Sequence, residues 1–236
     1  MPIKEKYFIQ PVMKAEYAGW ILKKHYAHRM PPVMYAYGLY LNNLLCGVCT
    51  YGMPCVDMNN GTCIFNHIRV KTLELNRLVV NDNLCKNSLS FFVSGTFKLL
   101  PKPSCLVSFS DMEKNHHGYI YQATNWTYTG LSEKGGQNKH YLLNGKDIHG
   151  KTITHKWFQE NNLQYDPKKG LDYNFKANGG TIVPFGLKHR YLMFLGSKKE
   201  KQAMKKDIKY KTIPYPKGDN DRYDASYEPV IQKVLF

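Results

Sequence analysis

One stretch constrains this chain more than any other: residues 105–130, CLVSFSDMEKNHHGYIYQATNWTYTG. It starts as a short apolar run, Cys105 to Phe109, which predicts a buried strand. Asp111 closes the run, and a polar turn with His116, His117 and Gly118 follows. Ile120, Ala123 and Thr124 then recur at helical spacing, so Tyr119 to Trp126 predicts a helix, with Gly130 as a stop signal. A strand thus delivers a carboxylate and two imidazoles to its C-terminal edge, just before a helix begins. In open α/β sheets ligands bind at that edge. The plain alternative is a strand–helix unit whose polar loop carries no chemistry.

The flanking sequence supplies the rest of a sheet. Lys6 to Ile9 predicts a strand, and Lys14 to Tyr26 a helix that Pro31 and Pro32 cannot continue. Residues 33–53 predict a hairpin about Asn42-Asn43, residues 73–80 a strand, and Ser88 to Leu100 a helix stopped by Pro101 and Pro103. Beyond the opening stretch, 139–144 predicts a strand turning at Asn144-Gly145, 153–161 a short helix and 162–184 an irregular run. A strand at 186–196 and a Lys-rich helix then lead into a loosely attached tail. This order describes a mixed α/β single domain, a central sheet flanked by helices. It spans 1–196 with an insert over 145–184, and a basic helix and tail occupy 197–236.

Charge narrows the partner. Lys and Arg number 33 against 18 Asp and Glu, a formal net charge of +15. Such an excess points to a polyanion, bound in a salt-dependent way; the bland reading is a merely soluble basic protein. No run reaches the length of a membrane span, and the N-terminal MPIKEKYFIQ has no apolar signal core. The sequence therefore predicts a cytoplasmic protein with no membrane partner and with its six cysteines as thiols.

Cys46 and Cys49 have the spacing of a metal or redox pair, but both fall inside one strand, where residues three apart face opposite ways. Packed thiols are the better expectation. His25, His28, His116 and His117 sit at the ends of elements, where pockets form, and Asp111 could add the carboxylate of a two-His iron triad. Ordinary surface or helix-capping roles account for the same spacing. No P-loop, dinucleotide fingerprint, GxSxG elbow or zinc-deaminase signature is present. Arg77 lies mid-strand, where a guanidinium must be paired or face a ligand. The turn that follows opens a helix at Ser88 and Ser90, a seat for a pyrophosphate or simply a capped helix. The basic, aromatic C-terminal third suits phosphate contacts with stacking, or a solvated charged face.

With these residues in view, the order from about residue 6 to 196 resembles the acyl-CoA N-acyltransferase (GNAT) fold. ELNRLVVND resembles its central strand and the next turn and helix its CoA pyrophosphate element. CLVSFSD and GYIYQATNW resemble its splayed strand and the helix bearing a general-acid tyrosine, which falls on Tyr121. NLCKNSLS stands where that fold keeps its glycine-rich signature. A nearer resemblance is to the Mom-type phage DNA-modification proteins, carried by HYAHRMP, GVCTYG, ELNRLVVND, SFSD, GYIYQATNWTYTG, NGKDIHGKT and KHRY, over most of residues 15–196. The resemblance implies a carbamoylmethyl or acetamido-type group added to adenine N6 in double-stranded DNA, in the host bacterial cytoplasm, which protects phage DNA from restriction. It implies acetyl-CoA and iron as cofactors. It implicates His25, Tyr26, Asp111 and Tyr121 in catalysis and Arg77 and Ser90, with Ser88 beside them, in cofactor binding. His25 and Asp111 would be the metal ligands. Two other readings remain: a conventional GNAT enzyme acting on a protein or small amine, and a DNA-binding module without catalysis.

Overall fold

Runs of buried, mostly apolar residues along 35–41, 44–52 and 72–80 build the sheet on which the rest of the chain is laid. The structure is a computed structural model, and it describes residues 2–54, 58, 60–132, 139–150, 152–184 and 186–219. Contacts divide the chain into two compact units, one of residues 1–131 with 188–236 and one of residues 132–187. The first opens with α1 (Ile3–Lys6), β1 (Tyr7–Pro11), α2 (Lys14–Gly19), β2 (Tyr35–Leu41), β3 (Leu44–Gly52) and β4 (Thr72–Val80). It goes on with α3 (Ser88–Leu99), β5 (Ser104–Asp111), α4 (Tyr119–Ala123) and β6 (Thr127–Leu131). The second holds β7 (Lys139–Leu143), β8 (Lys146–His149), α5 (His155–Glu160), α6 (Leu171–Ala177) and β9 (Thr181–Pro184). β10 (Lys188–Leu195) and α7 (Lys198–Asp207) belong to the first.

The expected mixed central sheet is present, seven strands in the order β1-β2-β3-β4-β5-β10-β6. Its pairs are antiparallel except β4 with β5. On one face Leu73, Leu75, Leu106 and Tyr191 pack with Phe92 and Val93 of α3 and with Tyr121 of α4. Val48 and Val79 pack elsewhere with Trp20 and Ile21, and Cys105 and Val107 with Phe65 and Met204. No helix among the described residues is long and apolar enough to cross a membrane.

Several expectations are corrected. The helix from Lys14 stops short of Tyr26: after Gly19 it loosens into a π-helical turn over Trp20–Lys24, and His25 is extended at φ −73°, ψ 133°. The helix at 119 is only one turn long, because Asn125 takes φ +60°, and a strand, β6, runs through Gly130 in place of a helix end. The strand at 139–144 belongs to the second unit, at the centre of a three-stranded sheet, β8-β7-β9. Residues 162–184 hold a helix and a strand instead of an irregular run. The Asn144-Gly145 turn, with both φ positive, closes the β7–β8 hairpin.

Cys46 and Cys49 share one apolar cluster instead of facing opposite ways. A bulge between β2 and β3 leaves Cys46 as the extra residue, which turns it to the side of Cys49. Burial pushes both thiols up to about 12, so they stay protonated.

The segment after α7 is held, not loose. Ile213 N–H donates to the Tyr128 carbonyl (3.2 Å) and Tyr215 OH to the Trp126 carbonyl (2.6 Å). Gln122 Nε2 on α4 donates to the Pro216 carbonyl (3.1 Å), and Tyr119 OH to that of Gly218. The strap thus clamps α4 and β6; residues from 220 lie outside the described part.

Candidate active site

The sheet opens where β4 and β5 part. Their parallel pairing covers only Thr72–Glu74 against Cys105–Val107. Ser108 stands at the branch, its Oγ 2.8 Å from the Leu75 carbonyl and 2.7 Å from Tyr121 OH. Ser108 has one hydrogen, and a carbonyl can only accept, so that hydrogen goes to Leu75 and Tyr121 donates to Ser108. Tyr121 is walled by Trp126 and Tyr191, ring centroids 5.1 and 5.0 Å away. Burial first, then nearby Tyr26, Cys49 and Glu74, pushes its pKa up, so the phenol keeps its proton. Gly118 makes the fit: it caps α4 at φ +72°, and a Cβ there would meet the Tyr191 ring at 2.5 Å and Tyr121 at 2.9 Å.

The π-helical turn delivers a second group. His25 is 6 % exposed and stacks on half-buried Tyr26, centroids 4.3 Å apart. His116 meets Tyr26 edge-on at 5.7 Å. Desolvation, with Arg77, His28 and His116 adding repulsion, lowers the His25 pKa to about 3, so the ring is neutral. Its Nδ1 accepts the Ala27 N–H at 3.0 Å, which puts the ring hydrogen on Nε2.

Arg77 follows the Asn76 bulge in β4. It donates to the Asn76 (2.6 Å) and Arg29 (3.0 Å) carbonyls, while its Nε is buried without a hydrogen-bond partner. Burial and Arg29 lower its pKa, and Tyr26 and Glu74 oppose that. Asn76 Nδ2 fastens the Pro32 carbonyl (2.9 Å), and a side chain at Gly52 would collide with that carbonyl. The 29–32 loop is thereby stitched to the sheet beside His25 and Tyr26.

Asp111 is buried, but its carboxylate is committed. Oδ1 accepts the Glu113 N–H at 3.0 Å, capping the turn Met112–Lys114, and Oδ2 lies 3.6 Å from Lys188 Nζ. Its carbonyl accepts the His116 N–H at 3.0 Å. Asp111 therefore builds the loop that brings His116 to Tyr26.

An iron site on His25 and Asp111 does not fit this arrangement. Ligation through His25 Nε2 needs the hydrogen on Nδ1, where the Ala27 N–H already points. Asp111 faces an amide and an ammonium. Among the described residues no group of three or more His, Cys, Asp or Glu could hold an ion.

Ser88 and Ser90 lie at the start of α3, away from the Arg77 contacts just given. Ser88 is buried, and Ser90 Oγ donates to the Asn87 carbonyl at 3.0 Å. Asn87 takes φ +69° and its side chain makes no cap bond. Asn87 and Ser90 line the upper part of a groove of about 870 Å³ that runs along α3.

Sequence reasoning set His116 below His25, and it missed Ser108 and Tyr191. Ser108 carried a weak signal, a hydroxyl inside an apolar strand run. The contacts of His116 and Tyr191 arise only in three dimensions.

The family model described as the Mom protein family matches residues 6–217. The match therefore includes α7 and the strap, beyond the residue-196 limit of the sequence resemblance. The chain is similar to "Methylcarbamoylase mom" of Escherichia phage Mu, 25% identical over 202 residues, covering 84% of this chain and 78% of that protein. Among solved structures it is similar to a Bacillus subtilis acetyltransferase in complex with CoA, at TM-score 0.39 and 10% identity, covering 80% of this chain and 98% of that one. A GNAT family acetyltransferase from Elizabethkingia anophelis with acetyl-CoA bound gives TM-score 0.40 and 12% identity, over 81% and 99%. Likeness at those TM-scores carries no weight for fold or ligand. The family match, spanning almost the whole described length of the sheet and its strap, decides the matter: the chain belongs to the Mom protein family.

Proposed function

We propose that this chain is a DNA-modifying transferase that adds a carbamoylmethyl or acetamido-type group to adenine N6 in double-stranded DNA, acting in the host cytoplasm and shielding phage DNA from restriction. The observation that carries the reading is the family match over residues 6–217, which includes the elements that bear Tyr26, Arg77 and Tyr121. A positively charged chain suits the partner, since neutralised phosphates give affinity without sequence reading.

Adenine N6 is paired and stacked within a duplex, so the base has to leave the helix, at a cost of a few kcal/mol, on the order of one unstacking. Tyr26, half-buried and stacked on His25, offers a flat surface for the extruded base. His25, neutral with hydrogen on Nε2, is a donor and not a base. Arg77, with its Nε unpartnered, holds positive charge beside that platform and favours negative charge building there. Tyr121 keeps a proton at its hydroxyl for the leaving group. Acetyl-CoA, with its phosphates at the uncapped start of α3 beside Ser90, would supply an acetyl group and a thiolate leaving group, which accounts for an acetamido-type product. The amide nitrogen and two-electron oxidation of a carbamoylmethyl product would come from a further co-reactant. Asp111 supports the His116 loop. No step runs through iron, whose donor set the geometry lacks.

The test is mass spectrometry of nucleosides from DNA made in cells expressing the protein. A modified deoxyadenosine is expected with wild type and not with Tyr121→Phe. Unmodified adenine with wild type overturns the reading.

A further inference from the structure

The groove along α3 has a feature that the reaction above leaves unused. Its lower part is ringed by Lys98, Lys102, Lys198, Lys201 and Lys205, all exposed. No carboxylate among the described residues pairs with any of the five. The two acids of α7 are turned elsewhere. Glu200 accepts the Ser197 N–H at 2.7 Å, and Asp207 accepts the His67 and Ile68 N–H groups at 2.9 and 2.7 Å. Five ammonium groups around a concavity repel one another, and nothing within the described residues relieves that repulsion.

The floor is the edge of β10. Its pairing with β6 ends at Leu192 opposite Thr127, so the unpaired edge of Met193 to Leu195 lines the groove, with the Phe194 and Leu195 side chains buried in the core. Lysines do guard strand edges against stray pairing. Such a guard needs a charge or two on the edge strand, and β10 contributes none of the five. They come from α3, the turn after it and α7, and converge on one hollow.

We propose that this groove is where the phosphate backbone of double-stranded DNA docks, which rests on the functional reading above and assigns it a surface. Lys198, Lys201 and Lys205 recur at i, i+3 and i+7, one face of α7. They span about 10 Å along the helix, the axial length of about three phosphates of one strand. A CoA-sized ligand concentrates its charge in two places, whereas repeated phosphates meet a row of cations.

The experiment measures binding of a labelled duplex oligonucleotide across a salt series, for wild type and for the triple variant Lys98→Gln, Lys201→Gln, Lys205→Gln. A charge-matched control carries Lys146→Gln, Lys156→Gln and Lys168→Gln, and thermal melts check that each protein is folded. The groove variant should bind roughly tenfold or more weakly, and its slope of log K against log salt should shrink by about 0.9 for each phosphate it no longer neutralises. The control should keep the wild-type slope, and CoA binding should be equal in all three. A groove variant with the wild-type slope overturns the docking site while leaving the functional reading intact. Equal losses in groove variant and control also overturn it, as does a parallel loss of CoA binding, which would assign the lysines to the nucleotide. A wild type that fails to bind duplex at all sinks both readings.

Discussion

Tyr121 donates its phenolic hydrogen to Ser108 across 2.7 Å, and that bond ties α4 to the point where β4 and β5 separate. Tyr121→Phe removes the proton and keeps the ring. DNA modification should fall by about 10²-fold or more if that proton serves the leaving group. Unfolding free energy should fall by only about 1 kcal/mol, the usual worth of such a bond. Nucleoside mass spectrometry beside urea unfolding separates the two effects, and near-normal modification would remove Tyr121 from the chemistry.

His25 sets a dependence on pH. Its pKa is about 3 in the folded chain, against about 6.5 when unfolded. Between those values the unfolded chain binds the extra proton, so acid favours unfolding. The stability held by a neutral His25 is whole above about pH 6.5 and is lost as pH falls from there toward 3. The slope is at most about 1.4 kcal/mol per pH unit. His25→Asn keeps an acceptor for the Ala27 N–H and removes the titration. His189, whose pKa is also lowered, titrates in both proteins. Urea unfolding from about pH 6.5 down to 4.5 should show a flatter curve for the variant; identical curves refute the shift.

Asp111 can be tested for what its carboxylate does. Asp111→Ala removes both the cap on Glu113 and the partner of Lys188, at a cost of roughly 1–2 kcal/mol and most of the modification activity. Asp111→Asn keeps an oxygen for the cap and should restore most of both. An asparagine variant that folds normally yet is as inactive as the alanine variant would make the carboxylate part of the chemistry after all.

The strap predicts a local effect at a distance in sequence. Tyr215→Phe removes the bond to the Trp126 carbonyl, worth about 1 kcal/mol. Ending the chain after Tyr210 removes every bond from the strap to α4 and β6. Hydrogen exchange of the Tyr121–Thr124 amides should quicken slightly in the first variant and strongly in the second. Unchanged exchange in the shortened chain would mean that α4 stands without the strap.

Most of the sheet was legible because β2 to β5 carry their own apolar runs and turn residues. What escaped was set by single residues acting through the whole fold. Asn125 in the left-handed region ends α4 after one turn and frees Thr127–Leu131 to pair with β10, a partner some sixty residues away. The site followed the same division. Arg77 stood out as a charged residue within a strand, and Tyr121 only through the family resemblance. Nothing local announces that a π-helical turn will bring Tyr26 to His116, or that the two acids of α7 will face backbone amides and leave its lysines to a groove.

The strap also has a consequence for timing. α4 is made early, and residues 213–218, which clamp it, are made some ninety residues later. β10, the strand that encloses β5, follows α4 by some sixty-five residues. A nascent chain at the stage of α4 therefore carries Tyr121 on a single unsupported helical turn with no neighbour on one side of its strand. The bonds that fix Tyr121 between α4 and the sheet are therefore complete only once residues 213–218 have been made.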